Sequence, residues 1–146
     1  MRRAVLALFV AGLLLSACGT TDPTAAMQKW VSQSAYRANL PTISGDVRRA
    51  AAELRTAGAS SADLHTICGV LFVDAQQANS SLPTPDSQAT ALLSRAYDDI
   101  GAGANKCYAA HANARARATA LSLLSRGMAA LSEGTARVNV AAGRAP

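Results

Sequence analysis

The chain reads as all-α, a small bundle of four to five helices behind an N-terminal signal peptide. Three observations lead there. Half of the residues are hydrophobic but only 4% are aromatic, and alanine, the strongest helix former because it loses no side-chain entropy, supplies much of that half. Apolar residues return every three or four positions along most of the chain. Strand-favouring aromatic and β-branched residues are sparse, and no strand pair is apparent. A length of 146 residues suits one domain with a thin core.

The first segment is an address rather than a structural element. Met1-Arg2-Arg3 is a short positive region, and Ala4 to Leu15 is an apolar run of twelve residues. That run is too short to span a bilayer and right for the middle of a signal peptide. Small residues Ser16 and Ala17 follow, then Cys18. Leu15-Ser16-Ala17-Cys18 resembles the lipobox of bacterial lipoproteins. The resemblance implies cleavage after residue 17, a diacylglyceryl group on the Cys18 sulfur, and a protein held on the extracytoplasmic face of the cell membrane. Two or more acyl chains hold a protein stably where one does not. Residues 1–17 are then the signal peptide, and 18–22 the lipidated N-terminus with a tether reaching ~10–15 Å. Residues 23–141 form the helical domain and 142–146 a frayed tail. The other way to read the segment is an ordinary secreted protein cleaved near Ala17 with Cys18 free, an exposed thiol being a liability outside the cell.

Each helix has start and stop signals. Asp22 followed by Pro23 suits an N-cap and first helical position. The helix behind them carries Met27, Trp30, Val31 and Ala35 toward Leu40, and Pro41 is expected to restart the chain. Ile43, Val47, Ala50, Ala51 and Leu54 recur at helical spacing until Gly58. Ser60-Ser61-Ala62-Asp63 has the form of a capping box and opens a helix with Leu64, Ile67, Cys68, Leu71, Phe72 and Ala75 on one stripe. Asn79 to Pro85 cannot continue it. Thr84 is expected to cap the next helix, with Leu92, Leu93, Ala96, Tyr97 and Ile100 leading to Cys107. Gly101 and Gly103 either weaken that helix or let another backbone approach. A break near Asn113 precedes a last helix with Leu121, Leu124, Met128, Leu131 and Val138 close to heptad spacing. The expected core is Trp30, Val47, Leu54, Ile67, Leu71, Phe72, Leu93, Ile100, Leu121, Leu124 and Leu131. In order, the lipobox, the Trp30 helix, Ile43-x-x-Asp46-Val47, Cys68, Pro83-x-Pro85-Asp86 and Cys107 resemble a loose set of uncharacterised actinobacterial helical lipoproteins, a likeness that implies no activity.

With Cys18 used for lipid, Cys68 and Cys107 remain, and an even pair in an exported domain suggests a disulfide. From Cys68 to its helix end is ~15 Å, and from Asp86 to Cys107 ~30 Å. A tight turn would leave the sulfurs apart in height, so the Asn79–Pro85 connector must run along the bundle. The alternative is a zinc site. His65-x-x-Cys68 and Cys107-x-x-x-His111 each put two ligands on one helix face, the types a tetrahedral Cys₂His₂ centre takes. An oxidising compartment argues against free thiolates, so the expectation is a bridge, with no metal and no cofactor.

No catalytic motif is present: there is no Gly-rich phosphate loop, no His-Glu-x-x-His and no Gly-x-Ser-x-Gly. Asp98 and Asp99 point about 100° apart on a helix and do not converge. Trp30 and Tyr36 suit core packing, a ligand wall or an interfacial anchor. Twelve Arg and two Lys face nine acids, and loss of Arg2 and Arg3 lowers the net charge from +5 to +3. From Lys106 onward Glu133 is the single acid. That half is a solvated helix face or a surface for anionic lipid. Nucleic-acid binding has neither a motif nor a compartment. The expectation is a non-enzymatic, membrane-anchored helical module binding a partner in the cell envelope, with a carrier of a small apolar ligand as the alternative.

Overall fold

The computed structural model describes residues 22–56, 58–110 and 113–145. Cys18 and the whole signal segment lie outside the described residues. So does His111. Five helices account for most of the rest: α1 Pro23–Gln33, α2 Tyr36–Arg55, α3 Ser61–Asn79, α4 Ser87–Tyr108 and α5 Ala114–Ala141. Helices α2, α3, α4 and α5 each pack on the next and α5 returns to α2, while α1 lies against α5 and α2. The fold is the small all-α bundle expected.

Helices α4 and α5 form its centre. On α4, Ala89, Leu93, Ala96, Ile100, Gly103 and Cys107 are buried, and on α5, Ala120, Leu124, Gly127, Leu131, Gly134 and Val138. Both sets step by alternate fours and threes, the heptad seam of a coiled coil. Small residues occupy one position of each repeat and large ones the other. The helices run antiparallel, and Leu93, Ile100 and Leu124 each meet a glycine of the facing helix. A Cβ at Gly103 would stand 2.8 Å from Leu124 Cδ2, and one at Gly127 2.6 Å from Ile100 Cγ1. Gly103 thus serves a close approach within an unbroken helix.

Two helix starts differ from the sequence expectation. Pro41 does not restart the chain; it lies inside α2. The break falls at Ser34, which turns extended (ψ 159°) while its N–H still bonds the Trp30 carbonyl at 2.9 Å. Pro41 costs α2 one bond, to the carbonyl of exposed Arg37, early enough that few turns lie ahead of the ring. Nor does Thr84 cap α4. Asp86 does, its carboxylate accepting from the Ala89 N–H at 2.7 Å and from Arg137 Nε of α5 at 3.0 Å. An aspartate there satisfies an orphan N–H and the helix dipole while pairing with a cation. Thr84 instead turns inward, its hydroxyl 3.0 Å from that of Thr90.

Other ends follow the sequence. Asp22 accepts from the Thr24 N–H, and Ser60 from the Asp63 N–H, both at 3.0 Å. Residues 142–144, expected to fray, form a cap. Gly143 adopts φ +70°, its N–H reaching the Val140 carbonyl and that of Arg144 the Asn139 carbonyl, the double bond of a Schellman motif. Arg117 of α5 donates to the carbonyls of Glu53 and Thr56, closing the C-terminal end of α2.

Seven of the eleven expected core residues are buried. Trp30, Ile67, Phe72 and Leu121 are half-buried and pack against the same cluster. Trp30 and Tyr36 belong to the packing. Their ring centres are 5.1 Å apart, the indole N–H donates to the Ser81 carbonyl, and the phenol meets Thr135.

Candidate functional site

Cys68 and Cys107 are bonded, with Cα atoms 5.8 Å apart and both side chains buried. Cys68 lies eleven residues before the end of α3 and Cys107 twenty residues after the start of α4. Helix α4 therefore rises about 13 Å past α3, and the Ser80–Asp86 connector covers that offset, as the helix arithmetic requires. Two sulfurs joined to each other are not available as zinc thiolates. The His65 ring stacks on Tyr108 at 4.2 Å between centres, 13° from parallel.

The disulfide stands behind a groove between α3 and α4. Cys68, Gly69, Phe72, Ala104, Asn105 and Tyr108 line about 240 Å³ of mostly apolar space. Beside it Val70 and Val73 of α3 are 50% and 59% exposed, and Tyr108 at the end of α4 is 48% exposed. The cause is legible in the chain. Ile67-Cys68-Gly69-Val70-Leu71-Phe72-Val73 is an unbroken apolar run. A helix covered on one side buries a stripe, here Leu64, Cys68, Leu71, Ala75 and Ala78, so a run of two full turns must place apolar side chains in water. Sequence reasoning found the stripe but passed over Val70 and Val73. Val70 and Val73 are large apolar side chains left in water on the helix that walls the groove.

A second cluster joins α2 to α3. Asp46 is 3% exposed although it lies on the Ile43–Val47–Ala50 stripe of α2. It pairs with Arg49 of its own helix and faces Asp74 of α3. Burial, then the neighbouring Asp46 carboxyl, push the Asp74 carboxyl above its usual value of 3.8, against the pull of Arg49. Asp86 moves the other way, held low first by its hydrogen bond to Arg137 and then by the Ala89 N–H. The two carboxyls therefore have opposite linkage. Asp74 supports the fold while protonated, and that support is lost as pH rises from about 3.8 through its folded value. Asp86 supports the fold above 3.8 and loses that support as pH falls. Asp74→Asn, which removes the charge beside Asp46, is expected to raise stability at neutral pH and flatten the decline as pH rises above about 3.8. Urea unfolding from acid to neutral pH checks it; an Asn variant less stable than wild type at pH 7 contradicts the raised Asp74 carboxyl.

Asp99 pairs with Arg126 of α5 at 3.0 Å, apart from Asp98 as their helix angles require. The chain matches no family model, no curated protein and no solved structure.

Proposed function

We propose that the protein is an extracytoplasmic lipoprotein, anchored through Cys18, whose bundle presents the outer face of α3 and the α3–α4 groove to a protein partner of the cell envelope. The apolar band Val70–Val73–Tyr108 carries this reading. Its position supports it. Helix α1 begins with Thr24 against Gly143, at the end of the bundle where α5 finishes. The Cys68–Cys107–Tyr108 groove lies toward the opposite end, where α4 finishes and α5 starts. Helix α5 has 28 residues, so the ends are about 42 Å apart. A tether entering at Asp22 turns the groove away from the membrane. No described helix is long and apolar enough to cross a bilayer, and an acyl anchor does not need one.

Carriage of an apolar ligand is the weaker alternative. It calls for an enclosed cavity of ~300 Å³ or more, whereas the α3–α4 groove is bordered by half-exposed Tyr108 and the space behind it is filled by the disulfide.

The test places a photo-crosslinking residue at Val73, in the producing cell, with Ala136 on the exposed back of α5 as the control position. A discrete protein adduct at Val73 and none at Ala136 is expected. Equal labelling at both positions refutes the α3 face. In parallel, Cys18→Ala should abolish lipid labelling and membrane retention; wild-type protein partitioning into the aqueous phase of a detergent split refutes the anchor.

A further inference from the structure

On the side of the bundle away from the α3–α4 groove, α2 and α5 leave a second cleft of about 240 Å³. Its floor is apolar: Val47 and Leu124 are buried, Leu121 and Met128 half-buried. One rim carries Arg48 and Arg55, both exposed. Arg55 donates to the Ala51 carbonyl of its own helix, and neither guanidinium pairs with a carboxylate among the described residues. No described residue lining the cleft is acidic. Small residues adjoin the arginines: Ala51 lines this cleft, and Gly45 and Ala52 line the neighbouring stretch of α2.

The spacing selects the occupant. Arg48 and Arg55 are seven residues apart, about 10 Å along α2, and Leu121 and Met128 repeat the same interval on α5. Two helical turns of a partner match both. Acids seven residues apart meet the two guanidiniums while the apolar residues between them rest on Leu121 and Met128. A fatty acid has one carboxylate and cannot engage both arginines. A flat anionic bilayer can reach the guanidiniums but does not fill the cleft between α2 and α5. We infer that the α2–α5 cleft docks an acidic amphipathic helix of a partner protein, with Arg48 and Arg55 receiving acids one heptad apart. This does not rest on the α3 face, and the two can fail separately.

The experiment holds the whole chain in neutral phosphatidylcholine nanodiscs and titrates two labelled synthetic helices. Both have a leucine stripe; one carries Glu pairs seven residues apart, the other Lys in their place. The Glu helix is expected to bind and the Lys helix not to. Arg48→Glu with Arg55→Glu should weaken the Glu helix roughly tenfold or more and admit the Lys helix, because opposed charges become like charges. Arg115→Glu with Arg144→Glu makes the same change in net charge at exposed positions elsewhere and should leave binding within about twofold. No binding of the Glu helix overturns the inference, as does equal weakening by both double variants. Association with phosphatidylglycerol vesicles that is lost in Arg48→Glu/Arg55→Glu, without helix binding, also overturns it and makes the cleft rim a membrane contact.

Discussion

Replacing Cys68 and Cys107 together by alanine should cost the protein about 4 kcal/mol, a large part of the 5–15 kcal/mol that holds a typical domain folded. The bridge closes a loop with a sequence separation of 39. In the chain-entropy treatment a loop of that length denies the unfolded state about 4 kcal/mol of conformational freedom. Few contacts elsewhere can compensate, because much of the core is alanine and glycine, which bury little area per residue. The same change should raise the denaturant slope, since an unfolded chain freed of its loop exposes more surface. Urea unfolding followed through Trp30, the single tryptophan, gives both quantities. The midpoint temperature should drop by roughly 10–20 °C. A variant within about 1 kcal/mol of wild type, with an unchanged slope, would mean that the unfolded chain is already compact between these positions.

How much of this was readable from the chain depends on whether a feature is local. The caps at Asp22 and Ser60 are local: the side chain that accepts the N–H stands two or three residues away. The disulfide was readable from cysteine count and helix rise, because two rigid rods and an extended connector leave little freedom. Pro41 and Thr84 misled for a shared reason. Proline and threonine announce a boundary only when nothing better is near, and Ser34 and Asp86 were better. For Asp86 the deciding partner, Arg137, is 51 positions away. The Asp46–Asp74 pair was beyond reach, since it depends on the rotation of α3 about its axis relative to α2. The exposed band on α3 was within reach, because seven consecutive apolar residues exceed what one face of a helix can hide. The basic cleft was half legible. The arginines of α2 stand off the Ile43–Val47–Ala50–Leu54 stripe, but their neighbours Leu121 and Met128 come from a helix some seventy residues on.

The tight α4–α5 seam makes glycine substitution depend on position in a way that propensity alone does not. Gly127→Val should destabilise the protein by about 3 kcal/mol or more, at or beyond the upper end of ordinary overpacking. A Cβ at Gly127 already stands 2.6 Å from Ile100 Cγ1, 3.0 Å from the Ile100 nitrogen and 3.1 Å from the Ala96 carbonyl oxygen. The Ile100 side chain can rotate away, but the last two atoms are backbone, so relief requires α4 and α5 to separate. Separation then loosens the neighbouring layers, in which Leu124 rests on Gly103 and Leu93 on Gly134. Gly45→Ala, in α2, has nothing within 4 Å of the added Cβ. There the gain in helix propensity acts unopposed and should stabilise the protein by about 0.5–1 kcal/mol. The two variants are therefore expected to move the urea midpoint in opposite directions. If both stabilise, α4 and α5 do not approach as closely as Gly103, Gly127 and Gly134 allow, and the bundle is held by its disulfide and outer contacts rather than by this seam.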